Sequence, residues 1–487
     1  MGEPPASPEL LDSAEAGPTA VRGGVLRVVG YVAGVLLTVG SAALLFRHLG
    51  VVDGGRYVTV LALASVVAGV TEIGLTTIGM RELSVRPAGE QRHFMRNLIG
   101  LRFVLAAAGA ALAVAFAAVA GYDETLVLGT ALASSAVVAS AVQATFGISL
   151  MVQLRLGWVT LLELLRQALT AAIVVALVFL DAGLLGFLAA GLPAGVLVLV
   201  GTVWLVRRDV PIAPGFDRAE WRSLLRDVLP FAAATVVAAI YFRAAMIVLS
   251  LVSTEAETGY FGASFRITEV LLLIPGLVVG AAFPIFSRAA RDDWDRLAYG
   301  IDRVFQAVIL LGTAIMVALV GGAAFAIDVV AGPDFGRSAD VLKLHAVALM
   351  LAFPGSALFY ALLSLHRHKL LLSLASGALV MNLALAWWWG SIWGATGAAA
   401  ATLVAELAQV AAGAIALRRS DPALMPSLAL LPRVSLAALL GLAVALVPGI
   451  PPVAAGALGT LLFATAAYGL GAVPRELRDA LPGLRSD

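Results

Sequence analysis

Two long apolar stretches, residues 228–252 and 259–287, carry ionised side chains: Arg243 in the first, Arg266 and Glu269 in the second. Arg266 and Glu269 are three positions apart, so on a helix both project from one face about a turn apart. Counting ~1.5 Å per residue from the ends of the stretches puts Arg243 and Arg266 roughly 9 Å below one membrane surface. Charge inside a hydrocarbon layer ~30 Å thick is costly and normally faces a bundle interior or a wet cavity. Two guanidiniums at one depth make a site for an anion, because their planar forks grip phosphate and carboxylate. The competing reading is that they snorkel to nearby headgroups or neutralise neighbouring acids.

A second constellation lies at 158–180, where Thr160, Glu163, Arg166, Gln167 and Thr170 share one helical face. Glu163 and Arg166 are spaced to pair. Ser65, Gly69, Glu72, Thr76 and Gly79 repeat the pattern at 57–80, and Thr402, Glu406, Gln409 and Gly413 at 394–417. Lipid satisfies none of these groups, so each stripe must face protein or water. Interhelical hydrogen bonding explains the Ser, Thr and Gly positions. It explains Glu72, Glu163, Arg166 and Glu406 less well. Gln143, Asn382 and His345 are lone polar groups with a structural reading.

These side chains need a frame that holds them in a bilayer, and the composition supplies it. The chain has 487 residues, 61% hydrophobic and only 13% charged, with a mean hydropathy of +0.98. That is an integral membrane protein, since soluble chains carry far more charge on their wetted surface. A net charge of +1 and the absence of any basic tract give no footing for nucleic acid. No Cys is present, which excludes disulfides and thiolate metal sites.

The first residues, to about 24, are polar and broken by Pro4, Pro5, Pro8 and Pro18, and read as a disordered tail. The apolar run from Val25 to Phe46 is too long for a signal-peptide core and reads as a first span. Hydropathy then places spans near 57–80, 98–120, 125–150, 158–180, 183–206, 228–252, 259–287, 304–330, 341–365, 370–392, 394–417, 430–449 and 452–473. The expected fold is all-α, with about fourteen transmembrane helices and tight hairpins near Asp181 and Trp393. Pro193, Pro275 and Pro354 are expected to break spans 6, 8 and 10, with Gly276 and Gly355 making hinges of the last two.

Basic residues set the orientation. With the amino terminus inside, cytoplasmic segments hold twenty-four of the thirty-two Lys and Arg, and external segments hold four. That bias places both termini in the cytoplasm and accounts for most of the Arg clusters without any ligand. An internal echo is also visible. Tyr57 and Tyr260 each open a span after a Gly-containing turn, and Gly186 before Arg207-Arg208 is matched by Gly394 before Arg418-Arg419. The chain thus divides into a tail (1–24), a six-helix bundle (25–208), a cytoplasmic linker (209–227), a second six-helix bundle (228–419), and two further helices with a cytoplasmic tail (420–487). Six spans per copy make the copies parallel, related by an axis along the membrane normal.

Absences narrow the class. There is no G-x-x-x-x-G-K-[ST] stretch and only two lysines, Lys343 and Lys369, so the chain has no nucleotide-hydrolysing site of its own. The five His are scattered, and no metal or cofactor constellation emerges. Loops on the outer side are short, whereas a membrane glycan polymerase or transferase needs a large one for its acceptor and acids. A transporter is favoured over an enzyme.

Several segments resemble the polysaccharide repeat-unit flippases of the multidrug/oligosaccharidyl-lipid/polysaccharide exporter superfamily. They are Leu49-Gly50, Gly55 and Tyr57, then Glu72-Ile73-Gly74-Leu75 and Arg81-Glu82-Leu83. The stretch Gly259 to Arg266, the run Phe283 to Arg288 and the turn Trp393 to Ala399 are similar to later parts of that family. The resemblance spans roughly residues 25–420. It implies two six-helix bundles that open alternately to each side, and a cargo glycan on a polyprenyl diphosphate moved outward across the cell membrane. Lipid II flippases carry a basic residue in the middle of span 1, and multidrug antiporters often an acid. Val28 to Phe46 has neither, which weighs against both of those subfamilies.

On this reading Arg243 and Arg266 attract the diphosphate within a cationic central cavity and Glu269 holds Arg266 when the site is empty. Glu72, Glu163 and Arg166 line the inner half, meeting sugars or relaying a counter-ion. The implied partners are the lipid-linked oligosaccharide, membrane lipids, and the glycosyltransferases and polymerase of the same pathway. The rival readings are a multidrug or small-molecule antiporter on the same scaffold and, behind it, a membrane glycan polymerase.

Overall fold

The structure, a computed structural model, describes residues 16–72 and 74–474, with side-chain detail at most positions from residue 33 onward. Every regular element among them is helical. In chain order these are α1 (Ala16–Glu72), α2 (Leu75–Val85), α3 (Ala88–Val119), α4 (Glu124–Val152), α5 (Leu156–Phe179), α6 (Leu184–Ala189), α7 (Gly191–Val206) and α8 (Arg218–Val252). They continue as α9 (Glu255–Leu271), α10 (Leu273–Asp292), α11 (Trp294–Val330), α12 (Ser338–Ser364), α13 (His368–Ser420), α14 (Leu431–Ala443) and α15 (Pro452–Gly469).

Eleven helical stretches among the described residues are long and apolar enough to cross a membrane, and Val236–Val252 is a shorter apolar one. Two of the eleven, Ala33–Val85 and His368–Ser420, run to 53 residues each. A single helix of that length would far exceed the hydrocarbon layer at ~1.5 Å per residue. Each contains a glycine outside helical geometry: Gly50 (φ 68°, ψ −171°) in α1 and Gly394 (φ 58°, ψ −134°) in α13. Both positions coincide with turns read from the sequence. Large apolar side chains such as Leu36, Leu112, Val119, Phe179 and Trp204 stand exposed, as they do where the surrounding solvent is lipid. This is an all-helical, multi-pass membrane protein.

The chain forms two compact units. One comprises residues 1–49 and 56–243; the other comprises 50–55 and 244–487. In the first, α4 is central, packing on α2, α3 and α7. Its largest cluster buries Leu75, Phe94, Leu98, Ile148, Val198 and Leu224. In the second, α12 lies between α11 and α13 and also meets α9, while α15 packs on α11 and α14. Phe286, Leu297, Phe353, Leu358 and Phe463 fill that core.

Several expectations change in detail. The expected tail lies outside the described residues as far as 15, and α1 begins at Ala16. Pro18 sits in the first turn, where its missing N–H has no helical partner to lose. The stretch read as one span at 57–80 is divided: α1 ends at Glu72, Gly74 adopts φ 79°, and α2 follows. Breaks occur at Ala190 and Leu272, each three residues before a proline, Pro193 and Pro275. A proline ring displaces the carbonyl one turn back, which places the break upstream of it. Pro354, by contrast, lies inside an unbroken α12. There α12 is packed between α11 and α13.

The linker between the expected bundles is folded onto α3. Gly215 N–H donates to the Arg96 carbonyl at 2.7 Å, Asn97 Oδ1 accepts from Asp217 N–H at 2.8 Å, and Trp221 Nε1 donates to the Asn97 carbonyl at 3.0 Å. The contact needs a residue without a side chain on α3: a Cβ at Gly100 would lie 2.0 Å from the Gly215 carbonyl oxygen. Asp217 then accepts from Ala219 N–H (2.8 Å) and Glu220 N–H (3.5 Å) at the start of α8. Those donors hold its carboxyl below the usual aspartate range, with His93 adding a smaller effect.

Candidate functional site

α9 is the best-defined part of the candidate site. Thr254 caps it, its Oγ1 accepting from Glu257 N–H at 3.2 Å. One face is locked into the second unit. Phe261 and Phe265 stack with centroids 6.0 Å apart, and the His345 ring of α12 stands edge-on to Phe261 at 4.7 Å. Ser264 Oγ and His345 Nδ1 are hydrogen-bonded at 2.7 Å, with both residues buried. Arg266 and Glu269 project from another part of the helix circumference and are paired, Arg266 Nη1 donating to Glu269 Oε2 at 3.1 Å. Their side chains are 28% and 23% exposed, so the pair is neither sealed in the core nor fully in the open.

The first turn of α9 is tied to the break in α13. Glu257 Oε2 accepts from Ala395 N–H at 2.8 Å, and Glu257 Oε1 pairs with Arg337 Nη1 at 2.7 Å. A Cβ at Gly394 would lie 2.3 Å from the Glu257 carboxylate, and its φ of +58° already disfavours an L side chain. Arg337 also lies over the Tyr260 ring at 4.9 Å.

The other expected site residues lie in the first unit. Arg243, on α8, is half-buried with its guanidinium over the Phe242 ring at 5.1 Å. On α5, Glu163 receives Arg166 Nη2 at 2.5 Å and Nε at 3.2 Å, and Gln167 Nε2 at 2.8 Å. Gln167 reaches α1, where Thr38 Oγ1 lies 3.5 Å from its Oε1. Glu72, expected to line the inner half together with Glu163 and Arg166, is paired with Arg102 of α3. Arg102 is 3% exposed.

Sequence reasoning missed Arg102 as a partner. It is one of the few basic residues that fall inside an apolar span rather than between spans, and that was the available signal. Glu72 is the last residue of α1, where a carboxylate meets the negative end of the helix dipole. A buried guanidinium offsets that penalty. Chemically, Arg102, Arg166 and Arg266 are cations each held by a carboxylate. No group of three His, Asp or Glu able to hold a metal occurs among the described residues.

Residues 20–290 match the family described as "Polysaccharide biosynthesis protein". The chain belongs to that family. Likeness of fold to solved structures extends over nearly the whole length of the chain. A lipid II flippase, MurJ, in an inward closed conformation aligns with TM-score 0.74 at 15% identity, over 91% of this chain and 99% of that one. An inward-facing multidrug resistance MATE family transporter of the MOP superfamily aligns with TM-score 0.63 at 16% identity, over 82% and 98%. A MOP superfamily transporter from Pyrococcus furiosus aligns with TM-score 0.54 at 16% identity, over 87% and 100%. At these identities the likeness is one of fold, which this family member shares with MurJ and the MATE transporters. Comparison with curated protein sequences gave no match.

Proposed function

We propose that the protein is a flippase, carrying a polyprenyl-diphosphate-linked oligosaccharide from the cytoplasmic to the outer leaflet for surface polysaccharide synthesis. The observation that carries the reading is the half-exposed Arg266–Glu269 pair on a membrane-spanning helix of a protein of this family. Arg266 exchanges its carboxylate partner for a phosphate oxygen of comparable geometry. Arg243 supplies a second cation, and Glu72, Glu163 and Arg166 meet the sugars or a counter-ion. The protein performs no bond chemistry; its glycosyltransferase and polymerase partners do.

Transport proceeds by alternating access of two six-helix copies, 25–208 and 228–419, with both termini in the cytoplasm. An interior-negative potential is worth about 2.3 kcal/mol per charge per 100 mV. A diphosphate bearing two negative charges thus gains about 4–5 kcal/mol on moving outward at that voltage, provided its counter-charges stay behind. That drives export without ATP.

Deleting the gene tests the proposal. Lipid-linked oligosaccharide accumulating on the cytoplasmic leaflet is the expected result. Raised drug sensitivity without that accumulation would instead identify an antiporter, and single repeat units already exported would identify a polymerase.

A further inference from the structure

His345 is buried in α12, where the transport reading gives it no task. Its pairing with Ser264 has the outline of a nucleophile beside a base. Such a pair works only where substrate reaches it, and here the two residues are 1% and 0% exposed. A polar contact sealed between two helices holds them in place instead.

The ring stands in one orientation. Phe261 and Phe265 of α9, stacked 6.0 Å apart, each meet it edge-on, at 4.7 and 6.1 Å. Ser264 Oγ lies 2.7 Å from its Nδ1. Its Nε2 is buried with no hydrogen-bond partner among the described residues. A proton on Nε2 would be a sealed donor facing no acceptor, so the ring carries it on Nδ1 and donates to Ser264.

This bond falls on the helix that bears Arg266. Phe261, Ser264, Phe265 and Thr268 recur at i, i+3, i+4 and i+7 and are all buried, forming one stripe of α9 that His345 reaches from α12. At ~100° of turn per residue, Arg266 lies ~150° from the middle of that stripe. Packing of the two Phe rings holds the stripe down but is non-directional and tolerates some rotation of the helix. A 2.7 Å hydrogen bond does not, because it weakens steeply once misaligned. Ser264 is two positions from Arg266, so the orientation of one sets that of the other.

We propose that His345 is a positioning residue: its bond to Ser264 fixes the rotation of α9 and so presents the Arg266 fork to the cargo diphosphate. The inference rests on the flippase reading given above. It adds a residue that never touches the cargo and lies on a different helix from the cation it serves.

The test uses the purified full-length chain in phosphatidylcholine nanodiscs, with glycan-free polyprenyl diphosphate as the probe. Thermal melting without and with the probe reads stability and apparent affinity. Ser264→Ala combined with His345→Leu leaves no polar group unsatisfied, so the melting temperature without probe stays near that of wild type. Affinity for the probe falls about fivefold, the scale of one interhelical hydrogen bond. His345→Asn, whose amide N–H replaces that of Nδ1, brings affinity back towards wild type, whereas His345→Gln, whose amide reaches the Nε2 position, does not. The proposal is overturned if the double variant binds as wild type does, or if the Asn and Gln variants behave alike. Should the double variant melt lower, Phe261→Leu supplies the comparison, since it loosens the same stripe and keeps the bond. Equal weakening of binding in those two also overturns the proposal. Arg266→Ala separates this inference from the reading beneath it. Undiminished binding there, or a wild type that the probe does not stabilise, removes the flippase reading. Lost binding there with unchanged binding in the double variant removes only the role of His345.

Discussion

The Arg102 guanidinium, almost wholly buried on α3, is bonded to the carboxylate of Glu72 at the very end of α1. The two residues are thirty positions apart, so the pair fastens the point where the second span divides into α1 and α2. Truncating Glu72 leaves a buried cation uncompensated. Glu72→Ala is expected to destabilise the protein by about 2 kcal/mol, below the usual cost for a sealed pair because the carboxylate is half in the open. The double variant Glu72→Ala/Arg102→Leu should recover most of that loss. Thermal melting of the four proteins in detergent measures the coupling, and additive losses would show the pair to be inconsequential.

Arg266→Ala is expected to abolish transport while the amount of protein in the membrane stays near normal. Arg266→Lys should retain a small fraction, since an ammonium lacks the two-pronged fork. Leaflet distribution of the lipid-linked substrate in cells provides the readout. Full activity in Arg266→Ala would remove that residue from cargo binding.

Gly394→Ala forces a Cβ into the Glu257 carboxylate and into left-handed backbone. The expected loss of stability exceeds about 2 kcal/mol and appears as poor membrane yield. Glu257→Gln, which keeps the shape but weakens the bond to Arg337, should cost less. Equal yields for Gly394→Ala and wild type would contradict the contact.

Asp217 predicts a pH dependence in the linker. Its folded carboxyl titrates below its unfolded value, so its contribution is present above the unfolded pKa and is lost as pH falls through the folded one. Trp221 reports on this region, packed at 5.7 Å on Phe216 and bonded to Asn97. Its fluorescence should change on acidification below about pH 4. In Asp217→Asn the change should be absent. An unaltered acid transition in that variant would reassign it to another group.

The membrane class and the helical fold were legible because hydropathy is a summed property of twenty residues at a time, insensitive to error at any one. The pairing of Glu163 with Arg166 and of Arg266 with Glu269 was legible for a related reason: both are local, fixed by helical spacing. The pairing of Glu72 with Arg102 was not legible, because the two lie on different helices and nothing in a one-dimensional pattern ranks Arg102 above other cations. The prolines show the same limit. Pro193 and Pro275 marked real interruptions, while Pro354 did not, since the outcome depends on which neighbours re-satisfy the freed carbonyl.

The bonds from Glu257 to Ala395 and Arg337 clamp one end of α9, whereas its other end stops at Leu272. A rod held fast at one end and jointed at the other responds to a sideways push by folding at the joint. Force applied to α10 would therefore bend the chain at residues 271–273 only as far as the packing of α10 on α11 and α12 allows, while the segment bearing Arg266 stays clamped at Glu257.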